Sequence, residues 1–265
     1  GSFGNTSEGW FNPDGFATAL RKKAQSQGVD FIKGEVVGFD VVDRSIAAVH
    51  VQDASRGVGM RIQAGTVVNC AGAWAKQVAE MAGCKLPVEA RKRSLFVVDT
   101  PESAERQAFW ERSPFIIDPS GVFIRPETSG KFICGYSRIP EEQDPNCAGI
   151  PSELETTDHG LFEDTIWPTL AHRIPMLEAM KVVSAWSGFY EVCTLDQNCF
   201  IGLHPSLDNF WLCNGFSGHG MMQAAPAARG LAEVITAGRF ETLDLSCFSY
   251  DRVVRNEPIH ELAIV

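Results

Sequence analysis

Apolar positions recur at two spacings along the chain, and the change of spacing divides it. Asn12-Pro13 predicts a capped helix start; Phe16, Ala17, Leu20 and Ala24 form one helical stripe, and Gly28 ends the run after the basic turn Arg21-Lys22-Lys23. That basic run fits a solvated helix face better than a phosphate site. Residues 29–32 predict a short buried strand. Alternating runs at 35–42, 46–52 and 60–64, with turns at Asp43-Arg44-Ser45 and Arg56-Gly57, predict a three-stranded meander. Residues 66–69 form another apolar run. It enters Cys70-Ala71-Gly72-Ala73-Trp74, and a helix is expected over 74–82.

From 86 to about 204 the texture changes to longer strands with Pro and Gly turns. Strands are expected at 93–98, 115–118, 122–126, 132–136 and 182–193, helical segments at 161–172 and 176–180, and a polar loop at 141–157. The run Phe210 to Cys213 again has the look of a buried parallel strand. It ends at Asn214-Gly215, and glycines 215, 218 and 220 follow. Pro226 suits the first turn of a helix, whose apolar stripe is Ala228, Leu231, Ala232 and Ile235 and whose stop is Gly238.

Composition narrows the function classes. The chain has 265 residues, 45% of them hydrophobic and 21% charged, as in an ordinary globular protein. Its net charge of −10 argues against nucleic acid or an anionic membrane surface as the main partner. No run reaches about 18 apolar residues, so no transmembrane span is expected. The eight cysteines form no C-x-x-C pair, and most fall in apolar runs, where they are expected to be small buried hydrophobes kept reduced. His50, His159, His172, His204 and His260 have no ligand spacing, so no metal site is expected. No G-x-S-x-G nucleophile elbow is present.

Two strand–glycine–helix junctions remain, at 66–74 and 210–226. Each aims amide donors and a positive helix end at something anionic or electron-rich, and adjacent parallel strands would bring both to one ligand. The order G-x-x-G-x-G differs from the G-x-G-x-x-G of a pyrophosphate loop. With its side chains, Gly215-Phe216-Ser217-Gly218-His219-Gly220 ahead of Ala225-Pro226 resembles the carboxyl-terminal signature of the D-amino-acid-oxidase-like FAD-dependent oxidoreductases. The turn Ala71-Gly72-Ala73-Trp74 resembles a second motif of that family. Additional stretches resemble one mitochondrial subgroup, which serves in the assembly of respiratory complex I. They are Ser7-Glu8-Gly9-Trp10-Phe11, Lys85-Leu86-Pro87-Val88-Glu89 with Arg91-Lys92-Arg93, the run from Ser184 to Tyr190, Asp196-Gln197-Asn198, and Gly238-Arg239-Phe240 with Asp244-Leu245-Ser246.

The resemblance implies an α/β fold: a partial FAD-binding, Rossmann-like domain interleaved with a mostly antiparallel substrate-binding sheet. Its implied parts are residues 1–84, the first part of the FAD-binding domain; 85–204, the sheet domain; 205–240, the return strand and helix; and 241–265, a tail. It implies non-covalent FAD held by Val36, Ala71, Gly72, Trp74, Gly215, Phe216, Ser217, Gly218, His219 and Gly220. The second loop is expected at the pyrimidine edge of the ring, where donors stabilise the charge gained on reduction. The expected activity is amine-dehydrogenase-like oxidation of a small amine, with complex I assembly intermediates as partners and a mitochondrial location. A flavoprotein scaffold without catalysis and a sarcosine- or D-amino-acid-type oxidase are the alternatives.

Departures from the family shape these expectations. The G-x-G-x-x-G loop is absent and the sequence opens without Met, so a piece of a longer protein is expected, one that holds FAD poorly by itself. Met222 and Ile133 stand where relatives carry a substrate-binding lysine and an oxygen-activating lysine, so O2 is not the expected acceptor. The covalent-flavin cysteine of some relatives falls near Phe189 and Tyr190. Catalytic candidates are Tyr190 and His219. His219 is either a flavin or substrate contact or a packed ring. Tyr190 shares a strand face with Trp186, and core packing is favoured over lining of the substrate side. Arg91 and Arg93 are expected on a solvated sheet edge rather than in an anion clamp. Asp196 is expected to be a structural cap.

Overall fold

In the computed structural model the described residues are 9–53, 57–100, 113–127, 130–137 and 147–261. Ser7, Glu8, Arg56 and residues 141–146 of the expected polar loop lie outside them, and the described part of that loop contains a 3-10 turn at Pro151–Glu155. The meander forms as expected: β1 (Glu35–Val42), β2 (Ser45–Gln52) and β3 (Gly59–Gln63) pair antiparallel in that order. Asp43 and Arg44 both adopt positive φ (44° and 67°), the two-residue turn whose twist matches its flanking strands.

The centre is a three-stranded sheet. Strand β4 (Val67–Asn69) lies at one side. The long antiparallel ribbon of β5 (Val88–Asp99) and β9 (Lys181–Cys193) belongs to a second sheet, in the order β6 (Ile116–Ile117), β7 (Val122–Pro126), β8 (Phe132–Tyr136), β5, β9. Strands β10 (Phe200–Leu203) and β11 (Phe210–Asn214) complete the central sheet, in the order β10-β11-β4.

Each sheet buries what its pattern requires. On one face of the central sheet, Leu212, Phe210 and Phe200 pack with Ala75 and Ala79 of the helix Ala75–Met81 and with Ile46 of the meander. On the other face, Ile201 and Cys199 pack with Ala227 and Leu231 of the helix Gly220–Ala237. The five-stranded sheet covers one face with Phe162, Ile166, Leu170 and Leu177, packed on Phe96, Val98, Val122 and Ile124. The helical stretch between 159 and 173 widens to a π segment at Phe162–Ile166, just before Pro168 removes a backbone donor. Among the described residues no helix is long and apolar enough to cross a membrane.

The helix Pro13–Ser26 forms as expected, with Asn12 Oδ1 accepting from Gly15 N at 2.8 Å, and none of its residues is buried. Three other expectations fail. Residues 29–32 form no strand, and Val29, Phe31 and Ile32 are exposed. No strand among the described residues runs alongside to take their hydrogen bonds. The second glycine-loop helix begins at Gly220, so Pro226 sits inside it rather than at its first turn. Its buried face is Ala227, Gly230 and Leu231, whereas Ala228 and Ala232 are exposed. Finally, β8 pairs only with Leu95–Val98, so Arg91 and Arg93 are paired to β9 alone, but Arg91 is not solvated: it is 5% exposed, with Nη1 donating to Glu89 Oε2 at 3.1 Å.

Asp196 is structural, as expected, and carries more than a turn. Its carboxylate is fully buried and takes Arg252 Nε at 2.7 Å and Nη2 at 3.2 Å, with Ile259 N at 3.0 Å and Asn198 N at 3.1 Å. The guanidinium also lies 4.1 Å from the centre of the Phe200 ring. Burial opposes ionisation of Asp196, but Arg252 and the two amides outweigh it and hold the carboxyl below its ordinary value. This stabilisation is therefore present above the usual carboxylate range and is lost as pH falls through the lowered folded value. Arg252→Ala leaves a buried charge unpaired and is expected to cost about 3–5 kcal/mol at pH 7 by urea unfolding. The deficit should shrink below about pH 4 as the orphaned carboxyl takes a proton; a deficit unchanged from pH 7 to pH 3 contradicts this origin.

Candidate functional site: two glycine junctions at one sheet end

Strands β4 and β11 are adjacent and parallel, with Phe210 opposite Val67, Trp211 opposite Val68 and Leu212 opposite Asn69. Parallel strands in register release their loops at the same end, where ligand crevices of α/β sheets lie. Two asparagines fix that end. Asn214 Nδ2 donates to Asn69 O at 3.1 Å, and both residues are buried. Asn69 Oδ1 accepts from Ala71 N at 3.1 Å, and its Nδ2 donates to Ala75 O at 2.8 Å, which sets the first turn after the strand.

At the first junction Gly72 has φ 55°, and a Cβ there would meet nothing within 4 Å. The turn therefore offers open space beside bare backbone. Trp74 is exposed on one side, but its indole is held: Nε1 donates to Gly149 O at 2.7 Å, and its ring stands edge-on to Phe189 at 5.6 Å. At the second junction Gly215 has φ 79°, and a Cβ would press Val88 Cγ2 at 3.1 Å. Ser217 (φ 46°) is buried; its Oγ accepts from Cys193 N at 3.0 Å and donates to Gly215 O at 3.3 Å. Gly218 (φ 95°) is exposed and precedes His219, the residue that caps the long helix. His219 is half-buried and makes no side-chain cap. Its N–H donates to Phe216 O, and its carbonyl accepts from Gln223 N, both at 3.0 Å. The N–H groups of Gly220, Met221 and Met222 thus form an uncapped helix start.

The loop is not a run of bare donors throughout, as the sequence had suggested. Gly215 N and Phe216 N donate to Glu191 Oε2 and Oε1 at 2.8 and 3.3 Å. Burial pushes the Glu191 carboxyl up, while these two amides pull against that rise. Glu191 went unnoticed in the sequence because it lies 24 residues upstream, in a strand with no local signature of its partner.

The remaining candidates divide. Arg93 lies over the Tyr190 ring at 4.7 Å, and Trp186 is 41% exposed. The favoured core placement fails for Trp186, which is exposed opposite Leu95, whereas Tyr190 is half-buried opposite the buried Arg91. Gly188, opposite Arg93, leaves space on the face they share. Ile133 is buried on β8, Met222 is 66% exposed at the helix start, and Phe189 stands against Trp74. Val36 stands apart, in the meander, opposite Val51. Among the described residues no group of three His, Cys, Asp or Glu could hold a metal. Cysteines 84, 134, 193 and 199 are buried, but Cys70 and Cys247 are exposed and Cys147 and Cys213 half-exposed, so burial covers half of the eight rather than most.

Because a carboxyl raised by burial stabilises the fold best when protonated, this part of the wild-type stability is lost as pH rises through the folded value. Glu191→Gln keeps an acceptor and removes the charge. Its melting temperature relative to wild type is expected to climb between pH 4 and pH 8. Glu191→Ala leaves two amides without an acceptor and is expected to cost about 1–3 kcal/mol. A Gln variant whose offset from wild type is flat with pH contradicts the assignment.

The family model for FAD-dependent oxidoreductases (DAO) matches residues 1–234. The chain is 37% identical over its whole length to "FAD-dependent oxidoreductase domain-containing protein 1" of Xenopus laevis and covers 56% of that protein; the Bos taurus protein of the same name is 36% identical, with 57% covered. The chain thus spans little more than half the length of these relatives. It is 30% identical to mitochondrial sarcosine dehydrogenase of Mus musculus over 92% of the chain and 26% of that enzyme. Among solved structures, L-proline dehydrogenase from P. horikoshii superposes with a TM-score of 0.77 at 25% identity, covering 93% of this chain and 61% of that one. Glycine oxidase from Geobacillus kaustophilus gives 0.68 at 19% identity, 88% and 56% covered, a likeness of fold. With its motifs, its sheet order and its matched length in agreement, the chain belongs to the DAO family of FAD-dependent oxidoreductases.

Proposed function

We propose that this chain forms the ring-binding side of an FAD-dependent amine dehydrogenase. The observation that carries the proposal is the release of both glycine junctions from the same end of two paired parallel strands. The residues present fit the group: Gly72 leaves room, Gly218 is exposed, and the helix start at Gly220 presents uncapped donors. The chemistry FAD supplies when bound is two-electron acceptance from a C–H bond beside an amine nitrogen, with negative charge gathering at the pyrimidine edge. We assign Ala71, Gly72 and Trp74 to one side of the ring and Phe216 to Gly220 to the pyrimidine edge. Ser217 holds the second loop in its left-handed turn. Residues 85–204 are the substrate-side unit, where Arg93 and Tyr190 orient a small amine carrying an acidic group, and Trp186 and Leu95 exclude water. His219 contributes backbone position and half-buried bulk at the helix start; we assign it no proton-transfer step.

Ile133 and Met222 supply no ammonium at the two positions where oxidase relatives carry lysines, which supports a dehydrogenase over an O2-reducing oxidase. Mitochondrial location and participation in complex I assembly are further parts of the proposal, supported by the subgroup stretches from Lys85 to Arg93 and from Ser184 to Tyr190. A scaffold role without catalysis differs in one observable: under anaerobic conditions an amine panel would fail to bleach the bound flavin.

Flavin content tests the assignment directly. A protein joining this chain to a G-x-G-x-x-G nucleotide loop is expected to purify with one FAD. Gly218→Val, which forces a β-branched residue to positive φ, is expected to lower FAD affinity at least about tenfold with the fold retained by circular dichroism. The chain alone is expected to retain little or no FAD after gel filtration. Unchanged flavin content in the variant contradicts the proposal.

A further inference from the structure

Cys70 and Cys213 each directly follow the last recorded pair of the parallel seam, Asn69 opposite Leu212, one on each side of it. Paired strands run about 4.8 Å apart, within the roughly 4.4–6.8 Å that separates the Cα atoms of a disulfide. The Asn214–Asn69 hydrogen bond holds the seam closed at this level. The two thiols differ in surroundings. Cys70 is exposed, whereas Cys213 is half-buried and packs against the cluster of Ile201, Phe216 and Leu231. A hydrogen bond from the Cys213 thiol holds Cys70 below the ordinary thiol value, against the partial desolvation of its sulfur and the nearby Glu191 carboxylate. The same hydrogen bond, with burial, pushes Cys213 upward. One partner is thus the better thiolate and the other keeps its proton, the division of labour of an attacking and a resolving thiol.

We propose that Cys70 and Cys213 form a dithiol site that reacts with low-molecular-weight disulfides and closes to an intramolecular disulfide across the seam. The Cys70 thiolate attacks one sulfur of the small disulfide, forming a mixed disulfide and releasing one small thiolate. That thiolate takes the Cys213 proton, and Cys213 sulfur then displaces the second small thiolate from Cys70. The two protein thiols lose two electrons in all, and the small disulfide becomes two thiols. The product bond ties β4 to β11 at the level from which both glycine junctions depart. It therefore sets the rigidity of the crevice floor whether or not a flavin occupies it.

Oxidised glutathione is the probe. The reduced full chain is incubated with it at pH 7.5, quenched with acid, alkylated and mapped by peptide mass. Cys70 is expected to react several-fold faster than Cys247, which is also exposed, and the wild-type end product is a peptide pair linked through Cys70 and Cys213. Cys213→Ser is expected to stop at the Cys70 mixed disulfide, and Cys70→Ser to leave Cys213 unmodified. In urea the preference for Cys70 should vanish, since the fold creates it. Cys70 and Cys247 reacting at equal rates in the native chain, a stable Cys70 mixed disulfide in wild type, or a preference that survives in urea each overturns the proposal.

Discussion

The parallel pairing of β4 with β11 is the constraint from which the rest of the site follows. Parallel neighbours must enter from the same side and leave from the same side, so each needs a crossover and each leaves its loop at a common end. Here Asn69 and Asn214 close that end by bonding backbone to side chain in a buried setting, where an unmet polar group costs about 1–3 kcal/mol. With both strand ends pinned, the helices Ala75–Met81 and Gly220–Ala237 must depart on opposite faces of the central sheet, which is where the two clusters of buried side chains lie. The open backbone of Gly72 and the exposed Gly218 are consequences of that departure.

Around the pinned end the chain spends charge with care. Glu191 takes two loop amides that would otherwise face inward, and Asp196 with Arg252 joins the end of β9 to the carboxyl-terminal segment. These contacts lie close together on β9 and just beyond it. The strand therefore serves both the sheet face under Arg93, through Tyr190, and the glycine loop, through Glu191. A change in the orientation of this strand would reach both.

Local chemistry made some parts legible in the sequence. The meander, the Asn12 cap, the stop at Gly238 and both strand–glycine–helix junctions are set by residues within a few positions of the feature. What escaped depends on partners far along the chain. Periodicity gives the Pro13–Ser26 stripe but not what covers it, and an apolar run at 29–32 cannot be a strand without a neighbour. Arg91 looked like a solvated edge residue because charge in a strand usually marks one; it is paired to β9 alone, yet it is buried, which its local sequence does not show. The early start of the Gly220–Ala237 helix was hidden by Pro226, since a proline weighs against a helix interior unless the preceding turns hold it. The amide acceptor of the glycine loop is a glutamate on another strand, and nothing in the loop announces it.

The central claim is that two separate junctions face one ring. It is tested most directly by titrating the isotope-labelled chain with riboflavin, which carries the ring but not the pyrophosphate, and following backbone amide signals. Shifts of Gly72 and Ala73 together with Gly218 and Gly220, fitted by one dissociation constant, are the expected result. Movement of one junction alone, or of neither while distant amides respond, contradicts it.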